Sequence, residues 1–506
     1  MPTILNGSTQ AVTIAPGYRL QAPGWKGTAA VQMPSAATAR ATARGIDGGL
    51  DALEVALRET HVTESRQIDL VLQATPASKD ASRTRGLSGP QDLVLEVPPV
   101  DPGYGQLILS IDDLGAMRWH LPEDDAAVSP ALSRSAGGQR FRIPANLVPP
   151  IADDADTTKQ RSILGAVGRR LLKVLVYPLT DPVAGAVLEF FAQRWEAAKR
   201  PYRLRSFTPT NYRNPEAAAL ASADIAAMAA KGPVLLYVHG TFSTSHGGFG
   251  DLPEATVSEL HRRYEGRVIA FDHPTLSADP TGNVRWLLSQ LPKVPMKLDI
   301  ICHSRGGLVS RVLAEAPGSL NADAAHVTVR RIVLGAVPNN GTLLSDPDHM
   351  VNMIDRLTTA LSMFPASGAT EILEGLITLV KILGHAGLKG IEGLQSMLPN
   401  GKFLQMLNAK GGQPGEYFAI AANYEPTDRG LRALVSGAVD AIVDQVFGNA
   451  GNDLVVPTDG VYEKNGNARF PVPLDKLLLL DPAWGVMHTS VFKHPLVSEK
   501  LLAWLA

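Results

Sequence analysis

The chain has 506 residues, of which 45% are apolar and 19% charged, values typical of a globular protein that can bury a large core. Its formal net charge is −2, and no long basic stripe is present, which excludes nucleic acid as an expected partner. The single cysteine, Cys302, excludes an internal disulfide and is consistent with a reducing compartment.

The first ten residues contain neither the basic nor the apolar region of a secretory signal, so we predict a cytoplasmic protein. The most apolar segment, residues 171–191, is interrupted by Pro178, Asp181 and Pro182. It therefore predicts a buried helix or strand, and we expect no integral membrane segment. Peripheral contact with lipid is left open.

Residues 1–150 are predicted to form a β-rich domain of unknown role. Residues 92–97 (DLVLEV) and 106–111 (QLILSI) alternate with period two, which is typical of half-buried strands. Residues 77–91 are predicted to be an exposed loop. A protein partner of this domain cannot be named from the sequence. Residues 151–230 are predicted to be a helical connection leading into the second domain.

Residues 231–506 are predicted to form an α/β domain. Short, continuously apolar segments separated by helical stretches indicate a mostly parallel sheet with helices on both faces. These segments are residues 233–238, 267–271, 298–302, 331–334 and 417–422. An apolar, helical insertion at residues 343–411 separates the last two. It is interpreted either as an extra packing layer or as a lid over a hydrophobic pocket, and one insertion can be both.

A candidate nucleophile follows the strand 298–302, in residues 303–307 (HSRGG). A sharp strand-to-helix turn at this point would expose the Ser304 hydroxyl beside a helix N-terminus. The segment resembles the nucleophile elbow of lipases and esterases of the α/β-hydrolase superfamily, with Cys302 in place of the first glycine. The resemblance implies the α/β-hydrolase fold and Ser304 as nucleophile. The alternatives are a helix cap at Ser304 and, less favoured, Cys302 as nucleophile.

Residues 239–241 (HGT), directly after the strand 233–238, resemble the oxyanion loop of the same lipases. The resemblance implies that the backbone N–H groups of Thr241 and Arg305 bind the oxyanion. His239 is expected to be structural, beneath the loop. The alternative is a glycine turn without a catalytic role.

The acid and the base should follow the nucleophile in that order in this superfamily. Residues 451–457 (GNDLVVP) resemble the segment that carries the catalytic aspartate in bacterial lipases, with Leu454 in place of the usual glycine, which implies Asp453 as the acid. His488 stands at the family's position for the base, after the apolar run 476–480. The competing residues are Asp346, Asp444, Asp459 and His494.

Three further stretches agree with lipases: residues 335–342 and 393–399 resemble the two ends of the lid, and 271–276 resembles a strand-end loop. Asp272 and His273 in that loop are expected to be structural. The resemblance covers residues 230–506, so nothing functional is carried over to the first 200 residues.

We therefore expect a serine hydrolase that cleaves carboxylic, hydrophobic acyl esters through a Ser304–His488–Asp453 triad and an acyl-enzyme. No cofactor or metal is expected, because the ligand spacings of H-E-x-x-H and of paired C-x-x-C motifs do not occur. The same triad also serves amidases, peptidases and thioesterases, and a non-catalytic interaction platform on a hydrolase fold is the alternative from another class.

Overall fold

The structure of the protein is a computed structural model. The residues that it describes are 1–35, 49–74, 92–113, 115–123, 138–144, 167–179, 187–315, 326–346, 349–386, 391–409, 415–424, 451–463 and 472–505. The predicted loop at 77–91 lies outside these ranges.

The N-terminal region consists mainly of antiparallel strands, as the alternating sequence runs predicted. The strands are β1 (Thr3–Asn6), β2 (Val12–Ala15), β3 (Tyr18–Gln21), β4 (Trp25–Gln32), β5 (Thr63–Ala74), β6 (Leu93–Val97), β7 (Tyr104–Asp112), β8 (Met117–His120), β9 (Gln139–Ile143) and β10 (Val167–Pro178), with helix α1 (Gly49–Glu59) between β4 and β5. They form two sheets, in the orders β1-β4-β5-β10-β7-β8 and β2-β3-β6-β9. Buried side chains from both sheets, among them Trp25, Leu95 and Phe141, form one core.

The prediction of a helical connection over residues 151–230 is wrong at residues 167–178, which form strand β10. This strand lies in the six-stranded sheet between β5 and β7 and is antiparallel to both. Leu171 and Leu175 contribute to a different core from Leu172 and Val174. A strand that is buried on both faces has a continuous apolar run without period two, so its sequence pattern cannot be distinguished from that of a buried helix.

The C-terminal region contains a seven-stranded sheet in the order β11-β13-β12-β14-β15-β16-β17. Its strands are β11 (Arg203–Ser206), β12 (Val234–Val238), β13 (Val268–Asp272), β14 (Met296–His303), β15 (Val327–Gly335), β16 (Glu416–Ala422) and β17 (Leu477–Leu480). All neighbouring strands are parallel except β11, which pairs antiparallel with β13 at the edge. Strand β11 is a second departure from the predicted helical connection.

Helices cover both faces of this sheet, because its strands are apolar on both sides. The helices of the C-terminal region are α2 (Val187–Lys199), α3 (Ser222–Lys231), α4 (Ser245–Gly248), α5 (Glu254–Arg263), α6 (Pro280–Gln290), α7 (Gly306–Glu315), α8 (Met350–Met363), α9 (Ala369–Ala386), α10 (Glu392–Gln395), α11 (Lys402–Ala409) and α12 (Pro495–Trp504). Helices α6 and α7 pack on one face, and α5 and α12 on the other. The predicted α/β class and the mostly parallel sheet with helices on both faces are confirmed, and the α/β-hydrolase fold stays a prediction.

The insertion between β15 and β16 is helical and packs against the N-terminal sheet. Strand β8 is an edge strand, and helix α8 covers its edge: the backbone N–H of Trp119 donates to Asp355 Oδ1 at 2.8 Å, and that of Met117 donates to Thr359 Oγ1 at 3.0 Å. The Trp119 indole donates to Thr358 Oγ1 at 3.0 Å. The insertion is therefore tied to the edge of the six-stranded sheet. Among the described residues, no helix combines the length and apolarity that crossing a bilayer requires.

Asp355→Asn is expected to remove a pH-dependent loss of stability. Burial raises the pKa of Asp355 to about 8, against the lowering effects of the Trp119 amide and the Arg118 and Arg356 charges. Since the folded protein holds this proton more tightly than the unfolded chain, the contribution of Asp355 to stability is complete below its ordinary pKa, about 4, and is lost as pH rises to about 8. The asparagine retains the acceptor for Trp119 and has no charge to bury.

The measurement is the thermal midpoint of both proteins at pH 5 and pH 9. We expect similar midpoints at pH 5 and a higher midpoint for Asp355→Asn at pH 9. The exposed Asp101→Asn is the matched control and should follow the wild type. Equal pH dependence in wild type and Asp355→Asn would contradict the assignment.

Candidate active site

Ser304 occupies the turn between strand β14 and helix α7. Its backbone has φ of +51°, a conformation uncommon outside glycine, and its N–H donates to the Gly335 carbonyl at 2.8 Å. A β-carbon at Gly306 would lie 2.4 Å from the carbonyl oxygens of Val238 and His239, so helix α7 can begin here only with glycine. Strand, strained turn and helix together have the form of a nucleophile elbow.

Cys302, which replaces the first glycine of the motif, is fully buried in strand β14. Its thiol donates to the Val333 carbonyl at 3.2 Å, and burial raises its pKa to about 12. A nucleophilic cysteine needs a thiolate, so this side chain has no nucleophilic form near neutral pH.

The predicted oxyanion loop lies directly against the nucleophile. A β-carbon at Gly240 would lie 2.6 Å from Ser304 Cβ and 3.3 Å from Ser304 Oγ. Within the described part of the chain, the backbone N–H groups of Thr241 and Arg305 have no hydrogen-bond acceptor. Unpaired backbone donors beside a serine hydroxyl have the chemistry that an oxyanion requires.

His239 lies beneath this loop, where the sequence placed it. Its Nδ1 donates to the Gly240 carbonyl at 2.9 Å, and its Nε2 accepts from the His273 backbone N–H at 3.1 Å. Burial lowers the pKa of His239 to about 4, so the ring is neutral and holds the loop rather than transferring protons.

Gly240→Ala is expected to reduce turnover about 10²-fold or more while leaving the protein folded. Gly240 is already in contact with Ser304. The added methyl group would therefore push the loop, and the Thr241 N–H with it, away from Ser304. The measurement is kcat for a soluble chromogenic ester, with the circular dichroism spectrum as a check on folding. Gly460→Ala is a control, since a β-carbon there meets its nearest side chains, Asn340 and Pro457, only at 3.5 and 3.6 Å. Unchanged turnover in Gly240→Ala would contradict the placement of the loop.

Asp453 and His488 form a buried pair. Asp453 is 1% exposed, and its Oδ2 accepts from His488 Nδ1 at 2.8 Å. Its Oδ1 accepts from the backbone N–H groups of Val455 and Val456 at 3.0 and 2.7 Å, and its carbonyl accepts from the His488 N–H at 3.0 Å. With its Nδ1 proton donated to the carboxylate, His488 retains an unprotonated Nε2 that can act as a base.

Ser304 and His488 line one pocket, although their side chains make no hydrogen bond to each other. Catalytic hydrogen bonds often tighten only when substrate binds, so this geometry is compatible with a triad. The assignment of Ser304, His488 and Asp453 as a triad, and of Thr241 and Arg305 as oxyanion donors, stays a prediction.

His303 contacts the candidate base, a role that the sequence did not indicate. Its Nε2 donates to the His488 carbonyl at 3.0 Å, and the two ring centroids are 4.9 Å apart. Burial lowers the pKa of His303 to about 3, so the ring stays neutral. The motif 303–307 contains this histidine, but no sequence signal links it to a residue 185 positions later.

The competing acids and base have other partners. Asp346 pairs with His349 at 2.9 Å, and the exposed Asp459 accepts from the Tyr462 hydroxyl at 2.6 Å. The His494 ring stacks on Trp484 at the start of helix α12. Asp444 lies outside the described residues.

Asp272 and His273 have buried partners and are not among the residues that line the pocket. Asp272 is buried, accepts from the Ser245 N–H at 2.7 Å and pairs with Arg203 at 2.9 Å. The buried His273 ring stacks on His239, with centroids 4.2 Å apart.

The pocket has a volume of about 500 Å³, including its open mouth. Its polar lining includes Ser304, His488 and Thr241 of the oxyanion loop. Its apolar side chains are those of Phe242, Leu344, Leu357, Ile372 and Val455. Three of these five, Leu344, Leu357 and Ile372, belong to the helical insertion. Among the described residues, no group of three or more His, Cys, Asp or Glu side chains could hold a metal ion.

A family model described as "Domain of unknown function (DUF7379)" matches residues 199–506. No curated protein matches the chain. Among solved structures, the chain is similar to phospholipase PlaB from Legionella pneumophila (15% identity, 46% of this chain and 48% of that chain, TM-score 0.29). It is also similar to lipase 1 from Pelosinus fermentans (12%, 54% and 97%, TM-score 0.37) and to the metagenomic carboxyl esterase MGS0156 (14%, 54% and 75%, TM-score 0.30). The chain spans about half the length of phospholipase PlaB.

Proposed function

The chain belongs to the DUF7379 family, whose description assigns no function, and we propose that it is a serine hydrolase that cleaves carboxylic esters. The observation that carries this proposal is the buried Asp453–His488 pair, whose histidine lines the same pocket as a serine held at positive φ on a strand-to-helix turn. Histidine is activated by such a carboxylate, and serine by such a histidine.

In the proposed reaction, His488 Nε2 takes the Ser304 proton as Oγ attacks the ester carbonyl carbon. The resulting oxyanion accepts from the Thr241 and Arg305 N–H groups, while Asp453 stabilises the imidazolium. His488 then protonates the departing alkoxide, leaving an acyl-enzyme. In the second half of the reaction, His488 takes a proton from water as the water attacks the acyl-enzyme carbonyl carbon. His488 then returns the proton to Ser304 Oγ, and the carboxylic acid is released.

The acyl group is proposed to lie against the apolar side chains of the pocket, because apolar walls bind apolar groups. The helical insertion would close this pocket over Ser304, which is the role of the predicted lid. The hydrogen bonds between helix α8 and strand β8 favour a fixed cover of the pocket rather than a mobile lid. The cytoplasmic location and the peripheral lipid contact stay predictions.

The test is labelling by a fluorophosphonate probe followed by peptide mapping. We expect one labelled site, on the peptide that contains Ser304, and no label on heat-denatured protein. A folded protein that takes up no label would contradict the proposal and favour the interaction platform. Ester, amide and thioester substrates with the same acyl group then distinguish an esterase from an amidase or a thioesterase, and graded acyl lengths test the hydrophobic acyl preference.

A further inference from the structure

Glu196 is a completely buried carboxylate on helix α2, just outside residues 199–506 of the family model (0% exposed). Its Oε1 accepts from the backbone N–H groups of Thr275 and Leu276 and from the Thr275 hydroxyl. Its Oε2 accepts from the Ser277 backbone N–H at 2.8 Å and hydroxyl at 2.6 Å. A buried charge is costly unless it is paired or hydrogen-bonded, and these donors satisfy both oxygens. The 273–279 loop, between β13 and α6, is therefore folded around this carboxylate.

The Thr275 hydroxyl connects Glu196 to the oxyanion loop. It donates to Glu196 Oε1 at 3.2 Å and accepts from the Phe242 backbone N–H at 3.2 Å. A hydroxyl has one proton, and a carboxylate can only accept. Glu196 thus directs the proton of Thr275 towards itself and leaves an oxygen lone pair for Phe242.

Phe242 needs such support because its backbone is strained. Its φ is +60°, which is rare for an aromatic residue and persists only where surrounding contacts hold it. Its ring packs against helix α9, where a β-carbon at Gly375 would lie 2.6 Å from Phe242 Cδ1. The hydrogen bond to Thr275 fixes the peptide group between Thr241 and Phe242. The Thr241 N–H belongs to the peptide group directly before it, so its direction depends on this bond.

The second predicted donor residue is attached to the same loop. The buried Arg305 guanidinium donates to the Ala278 carbonyl and, at 3.0 Å, to Asn283 Oδ1. Burial lowers the pKa of Arg305 to about 10, and the charge of Glu196 is the largest effect that opposes this lowering. Both residues that are predicted to bind the oxyanion through their N–H groups are therefore linked to the loop that Glu196 organises.

We infer that Glu196 is a positioning residue for the oxyanion hole: its carboxylate holds the 273–279 loop, and Thr275 transmits this to the Thr241–Phe242 turn. The inference rests on the proposed hydrolase function. It also connects the segment before the family domain to the chemistry of the site, since helix α2 supplies the carboxylate.

The first experiment compares Glu196→Gln with the wild type. All of the partners of Glu196 are donors, so the glutamine NH₂ group must face at least one of them and disturb the loop. We expect kcat to fall about 10²-fold with little change in KM, because the lost interaction acts in the transition state. The inhibition constant of a trifluoromethyl ketone, whose adduct carries an oxyanion, should rise in proportion to the fall in kcat/KM.

Variants of Thr275 separate an effect on the position of the oxyanion loop from an effect on the stability of the whole protein. They also test the inference if Glu196→Gln does not fold. Thr275→Val removes the hydroxyl and should lower kcat about tenfold or more, whereas Thr275→Ser retains it and should restore most of the activity. Ser277→Ala removes one bond to Glu196 outside the link to Phe242. It should lower the thermal midpoint as Thr275→Val does and lower kcat less than Thr275→Val does.

Two outcomes would overturn the inference. If Glu196→Gln unfolds at a lower temperature but keeps the wild-type kcat and affinity for the ketone, Glu196 is a purely structural residue. Equal activity of Thr275→Val and Thr275→Ser would exclude the hydroxyl as the connection. Wild-type protein without turnover or labelling would instead refute the proposed function, and the inference with it.

Discussion

Ser304→Ala is expected to reduce ester hydrolysis about 10⁴–10⁶-fold and to abolish fluorophosphonate labelling, because it removes the hydroxyl that is proposed to attack the ester and to react with the probe. Among the described residues, the Ser304 hydroxyl has no hydrogen-bond partner, so its removal should not lower the thermal midpoint. Alanine at φ of +51° bears a strain similar to that of serine, and the turn should be preserved.

The measurement is initial rate against a short chromogenic ester, at equal protein concentration and with the thermal midpoint recorded for each sample. Ser289→Ala, on the exposed face of helix α6, is the matched control and should behave as wild type. Hydrolysis by Ser304→Ala at more than a hundredth of the wild-type rate would place the nucleophile elsewhere.

Asp453→Asn is expected to lower kcat about 10³–10⁴-fold with a small change in KM. Asp453 Oδ1 already accepts from the Val455 and Val456 N–H groups, so the asparagine oxygen should take that position. Its NH₂ group would then face His488 Nδ1 and donate to it. The imidazole proton would move to Nε2, and His488 could no longer accept the Ser304 proton.

The check is a comparison with Asp459→Asn, an exposed aspartate in the same segment, whose kcat should stay at the wild-type value. Asp453→Asn should also remain folded, since its shape and its acceptor for two amides are kept. If Asp453→Asn and Asp459→Asn hydrolyse ester at equal rates, Asp453 does not orient the base.

Local sequence predicted the parts of the site that lie on one short segment. The strand before Ser304, the glycines after it and the His-Gly turn at 239–240 are local requirements of a sharp turn against a neighbouring strand. The structure agrees with each: Ser304 has positive φ, and both Gly240 and Gly306 occupy positions where a β-carbon would clash. Such features are readable because the residues that need one another are adjacent in the chain.

Leu454 shows a local departure that the fold accommodates. The resemblance places glycine at this position, and the leucine has φ of +81°. Its side chain is buried with Tyr424 and Met487. Burial of the leucine side chain offsets the strain of its positive φ. The backbone preference of leucine alone does not predict this, because the compensation comes from contacts with distant residues.

The amino-acid sequence by itself determined the α/β class, the order of the candidate groups and the turn that carries Ser304, because these depend on apolar periodicity and on steric demands within a few residues. Only the tertiary structure decided that Asp453 lies 2.8 Å from His488, that β10 joins the N-terminal sheet and that Glu196 supports the 273–279 loop. Each of these joins residues at least 35 positions apart, and contacts at that separation arise from the packing of whole elements, which leaves no periodic signal along the chain.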